Sequence, residues 1–198
     1  MIFIIRNINR SMLLDDVLHG KNRTIHPVLK ECSEFLEKSE GLPILKNFST
    51  ELKPFHKLKL RQRNKKDPFT KTFNEAFNET PNLRQRSITT NGETSFIAEG
   101  KNYEPYYVFP INGFKYLYSL EVTNSKEDYQ KAFDTILEMV EDEKLVKDIL
   151  KYTYTSKHLS EGIKHGSEII IYNIPYCYIQ KTSSIRNYTD FIKSLEGT

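Results

Sequence analysis

The chain has 198 residues, a net charge of +3, and hydrophobic and charged shares of 38% and 28%, which suit one folded domain whose important basic character is confined to local patches. Its 8 glycines are scattered, which excludes a glycine-rich phosphate loop or dinucleotide crossover, and Cys32 and Cys177 lack metal-ligand spacing. With Phe and Tyr at 12 each and no Trp, the core is expected to be rich in rings.

The apolar run at residues 1–5 is far short of the roughly 20 residues a membrane span needs and has no flanking signal chemistry, so it reads as a first strand. Leu13, Leu14, Val17 and Leu18 then recur at helical spacing and stop at Gly20. Pro27 opens a second helix with Val28, Leu29, Cys32, Phe35 and Leu36 on one face, closed by Gly41. His19 and His26 flank this junction and read as surface or capping groups. Residues 42–48, apolar and started by Pro43, form a strand.

Residues 56–66 alternate with a period of two. An extended chain therefore places Lys57, Lys59, Arg61, Arg63 and Lys65 on one face and Leu58 and Leu60 on the other. The cations serve either a solvated edge strand or a phosphate-bearing ligand. Asp67-Pro68 caps a helix that carries Phe69, Phe73 and Phe77 into the core.

A strand over 83–90 is expected to end in the turn Asn91-Gly92. Strands at 106–110 and 114–119 are expected to pair as a hairpin through Asn112-Gly113. Tyr129, Ala132, Phe133, Ile136, Met139, Val140, Leu145, Val146, Ile149 and Leu150 mark a long helical region broken at residues 141–143. A shorter helix over 156–164 stops at Gly166 and leads into strands 167–172 and 176–180, read as a closing hairpin around Asn173-Ile174-Pro175. Phe191, Ile192 and Leu195 give the polar tail a closing helical turn. The order implies an α+β fold with N-terminal helices and a mainly antiparallel sheet, one domain over 1–198 with an arm at 1–24, a core at 25–180 and a tail at 181–198.

No His or Cys cluster suggests zinc, no Gly-x-Ser-x-Gly elbow suggests a hydrolase, and no metal is expected. Glu168 stands at the entrance of a strand that is apolar at nearly every position. Either it caps that strand in water, or it is held at the rim of a cleft to bind and polarise a ligand.

Three segments carry a resemblance. The succession Leu42-Pro43-Ile44-Leu45-Lys46-Asn47, Gln85-Arg86-Ser87-Ile88-Thr89-Thr90 and Gly166-Ser167-Glu168-Ile169-Ile170-Ile171 resembles the Arg, Ser/Thr-Ser and Glu strands of ADP-ribosyltransferases. The order of elements between Pro27 and Gln180 is also similar to that of small uncharacterised bacteriophage proteins. This resemblance implies a split sheet that binds NAD as a substrate, without a metal, and transfers ADP-ribose to a host protein or nucleic acid in the cytoplasm of the host.

Under that resemblance Glu168 is the catalytic carboxylate that stabilises an oxocarbenium-like ribose. Ser87 with Thr89 or Thr90 positions the nicotinamide ribose, Lys46, Arg61 or Arg63 holds the pyrophosphate or adenine ribose, and Tyr103, Tyr106 or Tyr107 either supplies a ring for the nicotinamide or serves ordinary sheet packing. Lys46 stands where the family carries Arg, and a lysine cannot reproduce the bidentate fork, so Arg61 or Arg63 is the alternative in that role. Gly166, two residues before Glu168, replaces the Glu or Gln of enzymes that modify arginine, which points to another acceptor. Two further readings stand beside it: a nucleic-acid or phosphate-binding module on the stripe from Lys57 to Lys66, and a non-catalytic viral structural or host-takeover protein that keeps the fold.

Overall fold

A computed structural model of the chain describes residues 26–62, 68–78, 80–92, 104–122 and 143–196. The expected elements at 1–5 and 11–19, the helical stretch before residue 143, Arg63, Lys65 and Tyr103 lie outside the described residues. In chain order the elements are α1 (Pro27–Glu31), α2 (Ser33–Lys38), β1 (Ile44–Phe48), β2 (Phe55–Lys59), α3 (Pro68–Ala76), β3 (Ile88–Gly92), β4 (Glu104–Pro110), β5 (Lys115–Tyr118), α4 (Glu143–Thr153), α5 (Leu159–His165), β6 (Glu168–Tyr172), β7 (Tyr176–Lys181) and α6 (Tyr188–Glu196).

The fold is α+β, and the strands make one antiparallel sheet in the order β2-β7-β4-β1-β3-β6-β5. Neither expected hairpin forms. β4 pairs with β1 and β7, while β5 pairs with β6, so Asn112-Gly113 joins strands that are not neighbours. The turn at Asn173-Ile174-Pro175 likewise sends the chain from β6 to a β7 that lies four strand positions away.

Those two short links fix the shape of the sheet. Four strand spacings of about 4.8 Å put β6 and β7 roughly 19 Å apart if the sheet were flat. Three linking residues span at most about 14 Å, so the sheet bends and brings its two halves over one another. The bend falls between β1 and β3, whose pairing consists of Ile44↔Gly92 and Leu45↔Asn91. Beyond Leu45 the two strands diverge, and the Lys46 ammonium donates to the Thr89 carbonyl at 2.8 Å. Asn173 Nδ2 donates to the Gly113 carbonyl at 3.2 Å and ties the two links together.

One hydrophobic cluster draws on both halves, with Ile44, Val108 and Ile179 from one and Ile88, Ile169, Ile171 and Tyr116 from the other. α1 and α2 cover it through Val28, Cys32 and Phe35, and the segment read as a polar tail closes it with Tyr188 and Leu195 of α6. His26 caps α1, its Nδ1 accepting from the Val28 amide at 3.3 Å, as its place before Pro27 suggested. A second cluster joins Phe69 and Phe73 of α3 to Val146 and Leu150 of α4 under Leu117 and Ile170. The expected helix from Pro27 divides at Cys32, and residues 84–86 form a 3-10 turn where a strand was expected. Asn91-Gly92 lies inside β3 instead of making a turn.

Candidate functional site

The cleft of interest lies where β1 and β3 part. A hollow of about 520 Å³ is lined by Phe48, which ends β1, by Ser87, which precedes β3, and by Lys57, Leu58, Lys59, Leu60 and Arg61 of the β2 segment. β2 is an edge strand whose alternation turns Lys57, Lys59 and Arg61 to one side and Leu58 and Leu60 to the other, and the hollow lies between its rim and Phe48 of β1. Phe48, Leu58 and Leu60 supply apolar surface, and Lys57, Lys59 and Arg61 supply positive charge. Among the described residues no carboxylate lines it. The Leu60 amide donates to the Pro175 carbonyl at 2.9 Å, which anchors the end of β2 to the link between the halves.

The three cations differ in their surroundings. The Lys57 ammonium lies 3.7 Å from the centre of the Tyr176 ring, and Tyr176 in turn donates its hydroxyl to Glu31 at 2.7 Å. Contact with Tyr176 holds the Lys57 pKa above its ordinary value, and the Tyr176 hydroxyl holds the Glu31 carboxyl below its own. Lys59 and Arg61 form no ion pair among the described residues. Two positive groups on one wall of a concave site favour a ligand with neighbouring negative charges.

Ser87 is held by the 3-10 turn in front of it. Its hydroxyl donates to the Arg84 carbonyl at 3.1 Å, which leaves the oxygen lone pairs to accept a hydrogen bond from a ligand. The turn is docked on α3: Asn74 accepts from the Arg84 amide at 2.9 Å, and the Arg84 guanidinium lies 4.7 and 5.0 Å from the centres of the Phe69 and Phe73 rings.

The folded chain divides the expected constellation into two groups. Arg61 and Ser87 meet at the cleft, and Lys46 adjoins it, with its ammonium 6.0 Å from the Phe48 ring centre. Glu168 does not line this hollow. It opens β6 opposite Asn91, which is itself opposite Leu45, so the pleat turns Glu168 to the face away from Lys46. Glu168 is buried, at 7% exposure, so capping a strand end in open water does not describe it. Thr89 shares the face of Glu168, while Thr90 is buried on the other, its hydroxyl donating to the Ile169 carbonyl at 3.3 Å.

The aromatic candidates have packing roles. Tyr106 is fully buried, its hydroxyl donates to the Leu52 carbonyl at 2.8 Å and accepts from the Leu52 amide at 2.9 Å, and it does not line the cleft. Tyr107 packs against Tyr188 with ring centres 4.9 Å apart. The ring that reaches the cleft is Phe48, whose sequence pattern marks only a strand. Its position at the end of β1, two residues after Lys46, was the available signal.

Among the described residues no group of three His, Cys, Asp or Glu side chains can hold a metal ion, and no helix is long and apolar enough to cross a membrane. No family model, curated protein or solved structure matches the chain.

Proposed function

We propose that the chain binds NAD, or a dinucleotide of the same chemistry, in the cleft between the halves of its sheet. The observation that carries this reading is the meeting of Arg61 and Ser87, from segments 26 positions apart, at one hollow with a ring on its opposite wall. Arg61 offers a bidentate fork to a pyrophosphate, Ser87 accepts from a ribose hydroxyl, and Phe48 with Leu58 and Leu60 takes the flat face of a base. Titration calorimetry with NAD tests it. Arg61→Ala is expected to weaken binding by roughly tenfold or more, the scale of a lost charge-assisted hydrogen bond. Equal heats for the parent and Arg61→Ala overturn the reading.

Transfer of ADP-ribose is a further step that needs a carboxylate near the ribose, and Glu168, to which the resemblance assigns that role, does not line the cleft. Incubation with labelled NAD and host lysate decides it. Label incorporated by the parent and lost in Glu168→Ala supports transfer, and equal incorporation by both removes Glu168 from the mechanism.

A second reading rests on Lys59 and Arg61 standing on an edge segment and forming no ion pair among the described residues. A single-stranded nucleic acid would lay its phosphates along Lys57, Lys59 and Arg61 and stack a base on Phe48. It predicts oligonucleotide affinity that falls steeply with salt, with a shallower slope in Lys59→Ala/Arg61→Ala. Salt-independent affinity overturns it.

A further inference from the structure

The two walls of the cleft belong to β1 and β2, and the loop between those strands, residues 49–54, runs across the sheet. Three contacts hold it there. The buried Tyr106 hydroxyl takes both backbone groups of Leu52, at 2.9 Å to the amide and 2.8 Å to the carbonyl. The Lys181 amide donates to the Pro54 carbonyl at 2.6 Å. The Lys181 ammonium, its side chain 14% exposed, bridges Glu51 at 2.6 Å and Glu104 at 3.3 Å.

Tyr106 and Lys181 are direct partners across β4 and β7, so the loop is fastened to one cross-strand pair. The same Tyr106 ring meets Phe48 edge to face at 5.5 Å. Holding the loop on this pair therefore sets Phe48 on one wall and the start of the cationic strand on the other. A loop free to swing would let the walls separate, and the ligand would have to supply the ordering when it binds.

We infer that Tyr106 and Lys181 are positioning residues that strap the 49–54 loop to the sheet and preorganise the cleft for its ligand without touching it. The inference rests on the proposed binding of NAD and deepens it. It also gives Tyr106 a different role from the ring-stacking one that the resemblance implied.

The experiment compares the parent with Tyr106→Phe, Lys181→Met, Lys181→Arg and Arg61→Ala, using NAD titrations at several salt concentrations and amide hydrogen exchange at Leu52. It is run at a temperature where all five proteins are folded, so that lowered stability alone leaves affinity unchanged. Tyr106→Phe and Lys181→Met are expected to weaken NAD binding about tenfold with faster exchange at Leu52. Their salt slope is expected to match that of the parent, while Arg61→Ala flattens it, and Lys181→Arg is expected to restore most of the affinity.

Parent-like affinity in Tyr106→Phe and Lys181→Met, with exchange at Leu52 accelerated, overturns the strap and leaves the cleft reading standing. Should Tyr106→Phe fail to fold, Lys181→Met with its Lys181→Arg control decides by the same criterion. If the parent and Arg61→Ala bind NAD alike, the cleft reading falls and takes this inference with it.

Discussion

Glu168 opens β6 directly across from Asn91, and Ser87 stands just before the far end of the same β3 strand, about 13 Å away along it. Carboxylate and hydroxyl therefore occupy opposite ends of one strand, and the hydroxyl alone reaches the cleft. Glu168→Gln is expected to keep its affinity for NAD within about twofold of the parent, while Ser87→Ala loses about fivefold for one neutral hydrogen bond. Calorimetry on the two variants checks this, and a larger loss in Glu168→Gln would place the carboxylate against the ligand.

Gly92 ends β3 where the chain passes under α5. A Cβ there would overlap the Ile163 carbonyl oxygen, a backbone atom that cannot rotate aside. Gly92→Ala is expected to cost about 3 kcal/mol or to prevent folding, at the upper end of overpacking effects. Urea unfolding would show this as a lower midpoint at unchanged slope, and a parent-like midpoint would mean that α5 is free to move away.

Glu34 clamps α2 to the link between β4 and β5, accepting from the Gly113 amide at 2.6 Å and from Lys38 at 2.6 Å. Lys38 first, and then the Gly113 amide, hold its carboxyl below the ordinary 4.5. A carboxyl depressed in the folded state stabilises fully above its unfolded pKa, and that contribution is lost as pH falls through the folded value. Glu34→Gln is expected to be less stable than the parent at neutral pH, with the difference closing as pH falls below the ordinary carboxyl value and through the depressed folded one. Denaturant midpoints across that range measure it. A difference that persists at the acid end would assign the loss to shape instead of charge.

Cys32 and Cys177 are fully buried, and burial pushes the Cys177 thiol up to about 12 and the Cys32 thiol higher still. A thiol without thiolate character and without access does not react. A disulfide-exchange reagent is expected to find no fast thiol in the native protein and both cysteines in denaturant. One rapidly labelled cysteine in native conditions would show a loose seam between α1 and β7.

Gly113 and Asn173 explain why the strands were legible in the sequence while their pairing was not. Both take positive φ, 84° and 64°, as the Asn-Gly and Asn-x-Pro signals require. Local turn chemistry states that the chain changes direction, and it does not state which strand the chain joins next. Here that choice is made by contacts distant in sequence, such as Val108 against Ile179 and Thr89 against Ile170. The β-branched run 169–171 was readable as a doubly buried strand because its neighbours on both faces are apolar clusters. Gly92 looked like half of a turn, and only the close approach of Ile163 reveals why a glycine sits in a strand there.

The candidate site was legible in part for the same reason. Alternation correctly placed Lys57 and Lys59 on one side and Leu58 on the other, since period two is a local property of β2. The sequence carries no sign that the bend at Leu45 brings Ser87 to Arg61 while leaving Glu168 at the other end of β3, because a bend between two strands depends on the short links elsewhere in the sheet. The chain also gives no local cue that the Tyr106 hydroxyl is used up on Leu52, 54 positions away.

The most direct test of the shared cleft is an NMR titration of the isotope-labelled protein with NAD. Progressive, saturable shifts are expected at Phe48, Lys59, Leu60, Arg61 and Ser87, with Asn91 and Glu168 little changed. Shifts centred on Glu168 and absent from Arg61 and Ser87, or no shifts at any NAD concentration, would contradict the account.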